Sequence, residues 1–479
     1  MRPLDLAVMG VYFVAIAAIG LYFTKRQRDA TDYFLGRHSL PWWAVMFSIV
    51  ATETSALTVI SVPGIAARGD LTFLQISFGY LVGRIGVAVW LLPGYFRGEN
   101  ETAYARLERR FGPATRRVAS GIFMGIRALG DSVRVFATAI PLHIVTGLSI
   151  PASIAAVAAA TLLYTWTGGI KAVVWVEVLQ LAIYVLGGIA ALAIAAQLAG
   201  GLGGTLDRAA DLGKLKVVDW SLSLSTTYTL LGGLIGGALL SAASHGTDHL
   251  IVQRLLATTS LADARRALVG SGVLVILQFG LFLLVGTALW AAGADDPVLR
   301  SDELFPRFAV SSLPPGLSGV VIAGLLAAAM STLASSLNSL ASAATHDFYA
   351  PLTGRRDQRH LLAVGRWATL IWAVVLGTLA LSFAGSSDTP VVELALSIAS
   401  ITYGSLLGTY ILGGALVSVR QRDAILAIAV STGIMLALFL VKPGSFARLA
   451  WPWYVPMGTA ITVTVGWGAS RFRVGRGAA

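Results

Sequence analysis

One helix built almost wholly of apolar residues carries a line of hydroxyls and amides. Ser331, Thr332, Ser335, Asn338 and Ser342 lie in LLAAAMSTLASSLNSLASAATHDFY, between Gly324 and Pro351. Positions 331, 335, 338 and 342 repeat at i, i+4, i+7 and i+11, so their side chains share one helix face. Lipid offers hydroxyls no partners, so this face must look at protein, water or a cation. A hard alkali cation wants neutral or anionic oxygens, and this face supplies them. The alternative is adhesion, because small residues and Ser/Thr are common where membrane helices touch.

Charged residues recur inside other apolar stretches. Glu53 sits in SIVATETSALTVISVPG and Glu177 in KAVVWVEVLQLAIYV. Arg127, Asp131 and Arg134 stand at i, i+4 and i+7 of one segment, and Asp248 follows His245 and Gly246 in another. A charge at mid-membrane costs roughly 3 kcal/mol on insertion scales, so such residues face a cavity or a partner. For the 127–134 triplet the partner reading is an internal ion-pair ladder; for Glu177 it is a hydrogen bond to Ser or Thr. Arg84 is expected to snorkel toward the headgroups.

The elements that must position these groups are membrane spans. The chain of 479 residues is 56% hydrophobic and 12% charged, with mean hydropathy +0.76, unlike a soluble domain. About thirteen apolar runs follow one another, each able to cross ~30 Å of hydrocarbon: 5–24, 40–67, 71–96, 115–147, 150–166, 171–199, 225–253, 267–292, 314–349, 361–384, 391–418, 422–441 and 452–470. Arginine and lysine gather after alternate spans: Lys25, Arg26, Arg28 and Arg37; Arg97, Arg106, Arg109, Arg110, Arg116 and Arg117; Arg265 and Arg266; Arg355, Arg356 and Arg359; Arg420 and Arg422; Arg471, Arg473 and Arg476. The positive-inside rule then places the N-terminus outside and the C-terminus in the cytoplasm of a plasma (inner) membrane protein. The first span is too long for a cleaved signal peptide, and its basic flank is on the wrong side.

The net charge of +11 is therefore a topology signal, spread over short loops, and no nucleic-acid partner is expected. Absent cysteine excludes disulfides and thiolate metal sites. No phosphate-binding loop, metal-spaced histidines or nucleophile–base pair marks an enzyme, and no organic cofactor is expected.

Two spans look interrupted. The second holds Thr52, Thr54, Ser55 and Thr58 and then Pro63-Gly64; the seventh holds Gly232-Gly233, Gly236-Gly237, Ser241, Ser244, His245 and Gly246. Unwound backbone at membrane depth is useful only where it binds something. Interrupted helices five spans apart predict an all-α inverted-repeat transporter with its site at the midplane. The halves are 40–199 and 225–418, with 1–36 and 419–479 peripheral, all in a single membrane domain.

With these segments in view, the chain resembles the sodium/solute symporter family, which includes bacterial sialic acid, sugar and proline symporters and mammalian glucose and monocarboxylate symporters. Four stretches carry the resemblance over residues 5–440: FLGRHSLPWWAVMFSIVATETSALTVISVPG, YTWTGGIKAVVWVEVLQ, HGTDHLIVQRLLA and AAAMSTLASSLNSLASAATHDFY. It implies the LeuT-like fold of five plus five inverted helices. It further implies a sodium site formed by the carbonyls of Ala51, Thr54 and Ala328 with the hydroxyls of Ser331 and Thr332. Some members hold a second sodium on an Asp; here Glu177 stands at that position, with Ser335 matching a hydroxyl of the site and Ala334 replacing another. For the solute, the resemblance points to Glu53, Ser55, Thr58, Gln75, Arg127, Asp131, Arg134, Asp248 and Tyr403. The expected activity is sodium-coupled import of a small polar solute, a carboxylate-bearing one or a sugar, by a monomer working through alternating access. Proton coupling through Glu53 or Glu177, uncoupled transport and solute sensing are the alternatives.

Overall fold

The computed structural model describes residues 2–24, 29–97, 102–383, 391–441 and 448–476. Lys25, Arg26 and Arg28 of the charge pattern lie outside them. The described residues are helical along nearly their whole length, and the only β pairing among them is a single bridge from Leu40 to Thr258.

The principal helices are α1 (Pro3–Thr24), α2 (Trp42–Glu53), α3 (Ala56–Arg68), α4 (Leu74–Gly86), α5 (Pro113–Thr146), α6 (Ile150–Leu198), α7 (Gly237–Gly246), α8 (His249–Leu256), α9 (Leu261–Ala291), α10 (Leu317–Ala343), α11 (Gln358–Leu381), α12 (Val391–Ala415), α13 (Gln421–Val441) and α14 (Tyr454–Arg476). Among the described residues, 8 helices are long and apolar enough to cross a membrane, and α2 with α3 makes 9 as one bent span. Helix also covers the remaining expected segments, which depart from that standard for local reasons. α5 carries Arg116, Arg117, Arg127, Asp131 and Arg134, Ile150–Trp166 is short, α7 and α8 are two pieces, and α14 is rich in glycine and threonine and ends in arginines.

The expected fifth and sixth spans are the two arms of α6. They meet at Gly169, whose φ of 59° and ψ of −160° break the helix. A Cβ there would sit 2.5 Å from the Tyr33 carbonyl oxygen, so both conformation and space require glycine.

α10 is the central rod. Nearly every residue of it is buried, and it packs most extensively on α6, with α5, α1, α11, α3, α2 and α8 around it. A helix apolar on most faces yet seamed with hydroxyls fits such a place, because its neighbours answer each polar group. Glycines set the closest approaches elsewhere. Cβ atoms at Gly79 and Gly83 of α4 would fall 2.1 and 2.2 Å from the carbonyls of Gly233 and Ala238, and one at Gly286 of α9 would fall 2.0 Å from that of Pro63.

Both interruptions are present, at different residues from those the proline and glycines suggested. α2 and α3 meet at 60°, with Thr54 (ψ 76°) and Ser55 (ψ 170°) outside helical geometry. Pro63 lies inside α3, which continues through it. α7 and α8 part at Thr247–Asp248, where Asp248 caps α8 by accepting from the Leu250 N–H at 2.9 Å. The 232–236 glycines form one wide helical turn and a packing surface rather than a break.

Candidate functional site

The break in α2 determines where the oxygens point. The last carbonyls of a helix lack partners within it. Here the Val50 carbonyl accepts from Thr54 N–H and that of Glu53 from Ser55 N–H. The carbonyls of Ala51 and Thr52 are answered from α10: the Ser331 hydroxyl lies 3.0 Å from the Ala51 oxygen, and Thr332 Oγ1 lies 3.3 Å from the Thr52 oxygen. Both hydroxyls also reach the Ala328 carbonyl, at 3.0 and 3.4 Å. Five neutral oxygens thus converge where an interrupted helix meets the central rod. Thr54 makes other contacts, its hydroxyl donating to Gln278 Oε1 at 2.8 Å. The Thr52 carbonyl thus faces α10 beside that of Ala51.

The rest of the stripe is answered by protein. Asn338 Oδ1 accepts from Gln253 Nε2 at 2.7 Å, and Ser342 Oγ pairs with His249 Nε2 at 3.0 Å, both on α8. One helix face therefore meets carbonyls of α2 near Ser331 and Thr332 and side chains of α8 near Asn338 and Ser342.

Glu177 is fully buried. Its carboxylate accepts from Ser48, from Ser335 and, at 3.1 Å, from Thr52 Oγ1. It also lies 3.0 Å from Nη2 of Arg254 on α8, equally buried. The expected hydroxyl partners of Glu177 are there, and so is a guanidinium that sequence reasoning missed.

Beside the break lies a small cavity of about 90 Å³. Glu53, Ser55, Thr58, Arg127, Arg134 and Tyr403 line it, with Phe73, Tyr80, Phe279 and Ser244 among the residues not anticipated. Glu53 pairs with Arg84, and His245 Nε2 is 3.6 Å away. Arg84 does not snorkel. It is fully buried, donating Nη1 to Ser271 Oγ at 2.7 Å, because the carboxylate inside the protein holds it better than a distant headgroup.

Arg127 is pinned from several sides. Its Nε donates to Asp248 Oδ2 at 3.0 Å, its Nη1 to Asp131 Oδ1 at 3.3 Å and its Nη2 to Tyr403 Oη at 2.9 Å, while Tyr403 donates to Asp248 at 2.6 Å. Asp131 also receives Ser336 and, at 3.2 Å, Arg134 Nη1. The ion-pair ladder is present, and two of its rungs face the cavity. Asp131 and Asp248 orient the arginines from behind. Gln75 belongs to neither group: its amide spans the Thr72 and Tyr228 carbonyls and the Asp219 N–H, which fixes α4 to the 219–228 loop. Of the expected solute residues, Gln75, Asp131 and Asp248 do not line the cavity.

Neutral oxygens beside a charged cavity, both at helix breaks, are the arrangement expected of a cation-coupled transporter. Residues 33–441 match the model of the sodium:solute symporter family, and the chain belongs to that family. It is 28% identical to the sodium/sialic acid symporter NanT of Aliivibrio fischeri over 97% of this chain and 92% of the relative. It is 27% identical to the sodium/sialic acid symporter SiaT of Proteus mirabilis over 91% and 89%. It is also 28% identical to the human sodium/iodide cotransporter over 85% and 65%. A solved outward-open, substrate-bound Na+-coupled sialic acid symporter superposes with a TM-score of 0.89 at 25% identity, covering 98% of both chains. Mhp1, a nucleobase-cation-symport-1 transporter, shares the fold alone, with a TM-score of 0.59 and 15% identity. The chain is a multi-pass membrane transporter performing sodium-coupled symport of a solute, with sodium as the transported ion.

Proposed function

We propose that this chain imports a small organic anion, carboxylate-bearing, together with sodium by alternating access. The observation that carries the reading is the reach of Ser331 and Thr332 to the carbonyls freed at the α2 break. Sodium would take the Ala51, Thr52 and Ala328 carbonyls and the two hydroxyls, tying α2 to α10. A bound cation favours a conformation only through higher affinity for it. Separation of the two helices would remove ligands and release the ion.

Charge accounting around the cavity supports an anion. Arg84, Arg127 and Arg134 are matched by Glu53, Asp131 and Asp248. Bound sodium adds one uncompensated positive charge, and an anionic solute restores neutrality. Arg134 is the natural contact. Its side chain is 20% exposed, it spends one nitrogen on Asp131, and its buried Nε has no protein partner. The sialic acids and iodide in those relatives' names are anions.

The two halves 40–199 and 225–418 would form the inverted repeat, with the N-terminus outside, the C-terminus in the cytoplasm of a plasma membrane, and one chain sufficing. On the basic-loop side, buried Asp347 accepts from Arg116 Nε at 2.6 Å and from Ser120 and Thr102 at 2.7 Å, contacts that would help to close that side. The cavity would then open outward, past Arg134.

The test is a thermal-shift screen of purified protein against sialic acids, amino acids, monocarboxylates and neutral sugars, in sodium and in choline. An anion whose stabilisation grows with sodium is expected. Stabilisation by neutral sugars alone overturns the anion reading.

A further inference from the structure

We propose that the Arg254 guanidinium is a resident cation filling a second oxygen site, which leaves the protein one mobile sodium per cycle. This rests on the cage reading for its count of mobile ions but on separate residues for the site itself. Glu177, Ser48, Thr52 and Ser335 bring a carboxylate and three hydroxyls to one buried point from α6, α2 and α10. Such a donor set suits an alkali ion. The guanidinium occupies it instead. Nη2 contacts Glu177 Oε1 at 3.0 Å and also Ser335, Nε donates to Ser48 Oγ at 2.9 Å, and Nη1 donates to the Leu250 carbonyl at 2.6 Å. A guanidinium is always charged and cannot diffuse away, so it does permanently what a bound ion does transiently.

The position also matters to the cage. Thr52 offers its carbonyl to Thr332 and its hydroxyl to Glu177 and Ser335, the latter at 3.2 Å. Ser335 in turn donates to the Ser331 carbonyl at 2.8 Å. The tethered cation thereby orients two residues that frame the mobile-sodium oxygens. Arg254 is thus a positioning residue for the cage as well as an occupant of its own site. At the other end of α8, Asp248 holds Arg127 and Tyr403 at the cavity, so one short rod touches both the solute region and the cage.

Equilibrium binding of ²²Na+ to the purified full chain, at constant ionic strength with choline, reads the inference directly. Wild type is expected to bind one ion per chain. Arg254→Ala, which vacates the site but leaves Glu177, is expected to bind two. Arg254→Lys keeps the charge and stays at one, as does the double variant Arg254→Ala/Glu177→Gln. Two ions in wild type overturn the inference whether or not the variants fold, and so does a folded Arg254→Ala that gains none. A wild type that binds no ion refutes the Ser331–Thr332 cage instead, and the gain of one ion in Arg254→Ala then still decides the resident-cation site.

Discussion

Removing the Ser331 hydroxyl takes away one of the five cage oxygens and the α10 partner of the Ala51 carbonyl. Losing one polar partner at a buried site costs roughly 1–3 kcal/mol, and each 1.4 kcal/mol is tenfold in affinity. Ser331→Ala is therefore expected to raise the half-saturating sodium concentration about tenfold, with a range of ~5- to 150-fold. Thr332→Ala should cost less, because its contacts of 3.3 and 3.4 Å are longer than the 3.0 Å contacts of Ser331. The double variant should depart from the sum of the two, since both hydroxyls share the Ala328 carbonyl. Thr332→Ser keeps the oxygen and should stay near wild type. The assay is sodium-dependent thermal stabilisation followed by uptake into proteoliposomes, with sodium replaced by choline at fixed ionic strength. Ser339→Ala is the control, because that buried hydroxyl donates only to the Ser336 carbonyl of its own helix. A half-saturation within twofold of wild type in folded Ser331→Ala/Thr332→Ala would refute the cage.

Import of a monoanion with one sodium moves no net charge. An inside-negative potential imposed by potassium and valinomycin should therefore leave its uptake rate unchanged, whereas one uncompensated charge would add about 2.3 kcal/mol per 100 mV of driving force. Arg134→Gln should raise KM for the anion by ten- to a hundredfold while thermal stability without solute stays near wild type; an unchanged KM removes Arg134 from the site. Arg127→Gln should behave in the opposite way and lower Tm markedly, because an orphaned buried charge such as Asp248 costs about 3–5 kcal/mol. Gly79→Ala should also lower Tm and the yield of monodisperse protein, since its methyl would overlap the Gly233 carbonyl; normal stability would refute the close approach of α4 and α7.

Periodicity made the polar face of α10 legible, and the family resemblance paired it with the carbonyls of α2. The 331–342 spacing marks one face, and the polar TETS sequence at 52–55 precedes Pro63 in a span read as interrupted. The location of the breaks was less legible, because proline and glycine signal conformational freedom, and packing decides how it is used. Pro63 continues α3 and the 232–236 glycines seat α7 against α4, while the real interruptions fall on threonine, serine and aspartate. Arg84 and Arg254 were missed for a related reason. An arginine in a span reads as a headgroup anchor or loop charge until its carboxylate, 31 residues away for Arg84 and 77 for Arg254, is seen beside it. Gln75 shows the converse: a polar residue in the right span can be consumed by main-chain groups, which no side-chain pattern reveals.

The separation of Arg127 from Asp248 bears on how the chain is made. The two are 121 residues apart, and at a synthesis rate of ~5–20 residues per second the arginine waits about 6–24 s for its partner. Asp131, one turn along the same helix, contacts Arg127 at 3.3 Å and Arg134 at 3.2 Å. The nascent α5 thus enters the bilayer with one of its two central positive charges already neutralised by a neighbour translated less than a second later. Arg134 can keep that neighbour after Asp248 arrives, and a ladder that orients the finished pocket serves first as the segment's own escort through insertion.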